Sequence, residues 1–158
     1  MIKDQEVERL IKQELKTISS NIIWQDENGI YEVFGRYRIV PNNRTYRVFC
    51  SETEVGIFYS TRAALSWCIA DKYNKYALAR EILTTDNRLH YVVSDIVLRA
   101  GIATQSKSPE FRENVETKLE PKLIHKKKLE NQLADCVKMA KYWQQRGFNN
   151  ETARTSRN

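Results

Sequence analysis

Histidine is nearly missing from this chain. His90 and His125 are its only two, and neither has a cysteine or another histidine at metal-ligand spacing. A zinc site would need ligands gathered from far apart, so no metal is expected. Glycine is scarce too: its five residues stand singly. Without a glycine-rich turn before a helix there is no cradle for a phosphate, and no nucleotide or other cofactor is expected. The three cysteines, Cys50, Cys68 and Cys136, form no close pair and each sits within an apolar pattern. They read as buried, reduced thiols of a cytoplasmic protein rather than a disulfide frame. Cys68 beside Trp67 and Ile69, and Cys136 on an apolar helix face, lack the electropositive, exposed setting of a nucleophile. No apolar run approaches membrane-spanning length, and the opening residues lack a basic stretch followed by an apolar one. The expectation is a soluble protein with no membrane contact and no enzymatic activity.

What the chain does have is periodicity. Residues 3–18 read as an N-terminal amphipathic helix, with Val7, Leu10, Ile11, Leu15 and Ile18 on one face. After the turn Asp26-Glu27-Asn28-Gly29, alternation from residue 30 to 40 predicts a strand whose inner face is Tyr31, Val33, Gly35, Tyr37 and Ile39. Pro41-Asn42-Asn43-Arg44 suits a hairpin loop, and residues 45–50 and 55–59 read as further strands of an antiparallel meander of three to four. Ser60 or Thr61 can cap a following helix that carries Ala63, Ala64, Leu65, Trp67, Cys68 and Ile69, a band wide enough to cover a sheet. A break is expected at Asn74 or within the poor helix formers 84–87.

Two long ladders follow. Leu78, Ile82, Leu89, Val93, Ile96, Ala100 and Ala103 form one; Val115, Leu119, Leu129, Leu133, Cys136, Ala140 and Trp143 form the other. Spacing of three and four residues puts each set on one helix face. Ser108-Pro109 is a cap and first helical residue, so the two helices turn back on each other as an antiparallel hairpin. Pro121 interrupts the second helix, Lys122 and Lys126 fall where its ladder expects apolar residues, and Gly147 is read as its stop. The whole predicts an α+β fold. Residues 1–76 hold the N-terminal helix, meander and covering helix; 77–148 form the hairpin arm; 149–158 are a polar tail without structure of its own.

Charge is uneven. Residues 103–158 carry twelve basic against seven acidic side chains. Lys118, Lys122, Lys126, Lys127 and Lys128, followed by Arg146, are candidate nucleic-acid contacts, because a helix-borne stripe of cations can neutralise phosphates. A second basic set, Arg36, Arg38 and Arg47 with Phe34 and Phe49, shares a sheet face if the strand register aligns it; a solvated face is the simpler reading. Leu78, Ile82, Leu89, Val93, Ile96, Leu129, Leu133 and Trp143 are the candidate helix–helix interface.

At Tyr73-Asn74-Lys75-Tyr76, Ala140-Lys141-Tyr142-Trp143-Gln144 and Asn150-Glu151-Thr152-Ala153-Arg154 the chain resembles small uncharacterised proteins of marine tailed bacteriophages. The resemblance implies a viral protein made in a bacterial cytoplasm and brings no functional motif with it. The expectation for function is a non-enzymatic interaction or assembly protein that binds itself or another protein through helical surfaces. The alternative is a nucleic-acid-binding accessory protein that uses the basic residues between 118 and 128 and the C-terminal tail.

Overall fold

A computed structural model describes residues 23–105 and 108–156. The helix expected over 3–18 lies outside them. The fold is α+β: five strands, β1 (Ile23–Gln25), β2 (Tyr31–Val33), β3 (Tyr37–Asn42), β4 (Thr45–Cys50) and β5 (Thr53–Phe58), precede three helices, α1 (Thr61–Lys72), α2 (Tyr76–Gln105) and α3 (Pro109–Ser156). The sheet is an antiparallel meander in the order β1-β2-β3-β4-β5, one strand more than the expected maximum of four. The single strand expected over 30–40 is two. Phe34 and Gly35 take φ of 57° and 64°, and Arg36 N donates to Val33 O at 3.2 Å, which turns the chain back on itself. Val33 pairs with Tyr37 and Tyr31 with Ile39, and partners across a ladder share a face. Tyr31, Val33, Tyr37 and Ile39 are therefore all buried inward.

Onto that inner face packs α1. Trp67 meets Tyr37 edge-on at 6.1 Å and Phe58 at 6.3 Å, beside the buried Ala63, Ala64 and Cys68. Ser60 caps the helix, its Oγ accepting from Ala63 N at 3.2 Å. The helix ends where Asn74 enters the left-handed region with φ 62° and Lys75 N donates back to Ala70 O at 2.8 Å. No break occurs at 84–87, because these poor helix formers bond outside their own helix. Asp86 accepts from Tyr59 N at 2.8 Å, and Asn87 Nδ2 donates to Ile57 O at 3.2 Å. Tertiary bonds outweigh a propensity cost of about 0.5 kcal/mol per residue.

Helices α2 and α3 lie side by side. Arg112 donates to Thr104 O, Lys122 meets Asp95 and Gln132 meets Glu81, so sequence rises on one helix as it falls on the other. Ser108 caps α3 through Phe111 N at 3.3 Å. The base of this pair is not a separate arm. Ala79, Ile82, Leu133, Cys136 and Ala140 join the sheet and α1 in one core. Nor does α3 stop at Gly147: its helical backbone runs through Pro121 and Gly147 to Ser156, into the segment expected to be unstructured. Gly147 is glycine for a different reason. A Cβ there would stand 2.7 Å from Tyr73 Cζ and overlap the rest of the ring edge, so a bare backbone is what lets the end of α1 approach α3.

The two helical glycines therefore predict opposite outcomes. Gly147→Ala should destabilise by about 1–3 kcal/mol through overpacking. Gly101→Ala, with nothing within 4 Å of its new methyl, should gain roughly 0.5–1 kcal/mol from helix propensity. Urea denaturation of the two variants checks both signs.

Candidate interaction surfaces

The seam residues divide by height. At the base, Ile82, Leu129 and Leu133 are buried, while Leu78 and Leu89 are half-buried against the core. Trp143 is half-buried under Lys75, whose Nζ lies 3.7 Å from the ring centre. Further out, Val93 and Ile96 are only half-buried. Among the described residues from 87 to 128 none is fully buried. Here a polar contact crosses between the helices: Lys122 Nζ donates to Asp95 Oδ2, while Arg99, one turn along α2 from Asp95, reaches its Oδ1 through Nε at 3.2 Å. The lysine that breaks the apolar ladder thus meets a carboxylate facing it from α2. Its hydrogen bond, with Arg99 beside it, holds the Asp95 carboxyl below its ordinary range.

This geometry disperses the expected cation stripe. Lys122 is committed to Asp95 and Lys126 to Glu130, 3.4 Å away. Lys118, Lys127 and Lys128 are exposed, but at ~100° per residue they point in three different directions. Arg146 lies over Trp143 at 5.5 Å and donates to Tyr142 Oη at 3.0 Å. On the outer face of the sheet the register does align the second basic set, pairing Arg38 with Phe49, and both Arg38 and Arg47 lie over the Phe49 ring at 5.6 and 5.4 Å. Arg47 is neutralised by a two-pronged bond to Glu54 at 2.9 and 2.6 Å, and Arg38 stands opposite Glu32. Phe34 and Arg36 leave that face: Phe34 packs edge-on to Tyr73 at 6.1 Å, and Arg36 Nε points to Cys50 Sγ at 3.4 Å.

Other features escape a reading of the sequence. Tyr37 Oη donates to Asp71 at 2.5 Å, and burial together with that carboxylate drives the phenol's pKa far up. Tyr59 stacks flat on His90 at 3.6 Å. Gln144 is 1% exposed with neither amide atom hydrogen-bonded. An open groove of ≈ 670 Å³ runs between β5 and α2, lined by Val55, Gly56, Ile57, Leu83 and Asn87 among others. Most prominent is a set of uncovered apolar side chains on the outer arm. Tyr91, Leu98 and Ile102 on α2 are 67%, 63% and 46% exposed, and Leu123 and Ile124 on α3 are 50% and 55% exposed. The spacing of 91, 98 and 102, at i, i+7 and i+11, is a second ladder legible in the sequence beside the one that forms the core.

Among the described residues no group of three His, Cys, Asp or Glu could hold a metal, and no helix is long and apolar enough to cross a membrane. Burial raises Cys68 far above the ordinary thiol value and, with Glu81 nearby, Cys136 to about 11. Alkylation of the native protein near pH 8 should therefore reach half-buried Cys50 first. Cys68 and Cys136 should react only on unfolding, as peptide mass mapping would show. A depressed carboxyl adds stability above its unfolded pKa and loses it as pH falls through the lower folded value. Helix melting of Asp95→Asn should accordingly fall below wild type at neutral pH, and the two curves should converge in acid. Compared with protein-family models, curated proteins and solved structures, the chain finds no match.

Proposed function

We propose that this is a non-enzymatic interaction or assembly protein whose outer arm, residues 91–128, is laid against another protein chain. One observation carries the reading: two helices project from the core with no fully buried described residue between 87 and 128, yet with Tyr91, Leu98, Ile102, Leu123 and Ile124 about half exposed or more. A pair of helices gains little from propensity alone and depends on packing of an apolar face. Large apolar patches on an otherwise charged surface are features of protein contact sites. The base of the hairpin anchors that arm in the core. The proposal carries with it the cytoplasm of a bacterial host, the setting implied by the phage resemblance. Nucleic-acid binding receives less support, since two of its five clustered lysines are already paired within the chain.

The test is a photo-crosslinking amino acid in place of Leu98 or Ile102, with Glu32 on the sheet as control. Irradiation in expressing cells should give a discrete heavier product from the arm positions and not from the sheet. Leu98→Glu with Ile102→Glu should then abolish the product from a crosslinker at Tyr91, which shares their face of α2, while changing stability by no more than roughly 0.5 kcal/mol per site, as for surface positions. Absence of any discrete product, or loss of folding in the double variant, overturns the reading.

A further inference from the structure

The outer face of α3 has a pattern that selects its own occupant. At ~100° per residue, Glu116, Glu120, Leu123, Ile124 and Lys127 all fall within roughly 60° of the line opposite Leu129, the residue that faces the core. All five are exposed. Among the described residues, neither Glu116, Glu120 nor Lys127 has an ion-pair partner in the chain. Read from the tip of the arm toward its base, the face is acidic, then apolar, then basic.

We propose that a second copy of this chain lies antiparallel across that face, with the two-fold axis between Leu123 and Ile124. Reversing the helix about that point sets Glu120 of one copy against Lys127 of the other, twice, and gathers four apolar side chains at the centre. Glu116 then flanks the same lysine one turn out. A parallel copy would set Glu120 on Glu120 and Lys127 on Lys127, so like charges exclude it. Closed two-fold contacts of this kind are self-complementary by construction, and exposed charges fix orientation more than they add affinity. A single helix crossing falls short of the ~1,600 Å² of a standard stable interface, so the dimer is concentration-dependent.

The inference rests on the reading of the arm as an interaction element, and one set of variants separates the two. Sedimentation equilibrium of the full chain should show reversible dimers. Glu120→Lys and Lys127→Glu should each weaken them about tenfold, from two exposed like-charge pairs. An equimolar mixture of the two variants should dimerise again, because each copy then offers what the other lacks. So should the double variant Glu120→Lys/Lys127→Glu. A monomer at every concentration, or dimers indifferent to the swaps, overturns this inference. If the crosslinks at Leu98 and Ile102 persist in that case, the arm binds a different protein, and only the identity of its occupant has been refuted.

Discussion

Where the last strand hands over to the first helix, the amide of Tyr59 points at a carboxylate that belongs to neither. Asp86, buried in the middle of α2, accepts from Tyr59 N at 2.8 Å and from Ser60 Oγ at 3.4 Å, while Ser60 in turn caps α1. Three elements meet on one side chain: the exit of β5, the start of α1 and the face of α2. Losing such an acceptor leaves a half-buried amide without its partner, at about 1 kcal/mol. The flat stack of His90 on Tyr59, one turn further along α2, extends the same junction. The direction of the whole hairpin follows from it, because α2 is fixed to the sheet at its middle and tied to α1 by the tight turn at Asn74.

Much of this fold could be read from residue order, for reasons that differ by element. The inner face of the sheet was legible at Tyr31, Val33, Tyr37 and Ile39 even though one strand proved to be two, while Gly35, expected on that face, lies exposed in the turn. The hairpin at Phe34-Gly35 pairs odd-numbered residues with odd-numbered ones, Tyr31 with Ile39 and Val33 with Tyr37, so alternation survives the turn. The caps at Ser60 and Ser108 were legible because a hydroxyl before a helical pattern acts locally. Stretch 84–87 and Gly147 were not. Their residue types look like breakers and stops, yet Asp86 and Asn87 serve distant backbone atoms and Gly147 makes room for Tyr73. Local rules cannot tell a residue unsuited to its helix from one recruited by a neighbour.

The candidate surface was legible only in part. Periodicity identifies which face of a helix is apolar, not whether anything covers it, and the strong ladder through Ile82 and Leu133 hid the weaker one through Tyr91, Leu98 and Ile102. Lys122 was noticed as an interruption, but its partner on the other helix depends on where two independently drawn cylinders cross. The electrostatics of the arm follow from that crossing. Its lysines divide between those that pair within the chain and those that look outward, and on the outer face Lys127 is set apart from Glu116 and Glu120 by Leu123 and Ile124. A count of charge along the chain overstates how much cationic surface is on offer.

Each strand hydrogen-bonds to the one before it in the chain, and α1 folds directly back on that sheet. Nearest-neighbour wiring of this kind requires only short loops to close, the condition under which domains acquire their shape fastest. The meeting of Tyr73 with Gly147 is different, since most of the hairpin must be laid down before these two can touch. The sheet and its covering helix therefore precede the far end of α3 in order of synthesis, and the approach of Tyr73 to Gly147 can form only after the last turns of that helix have been made.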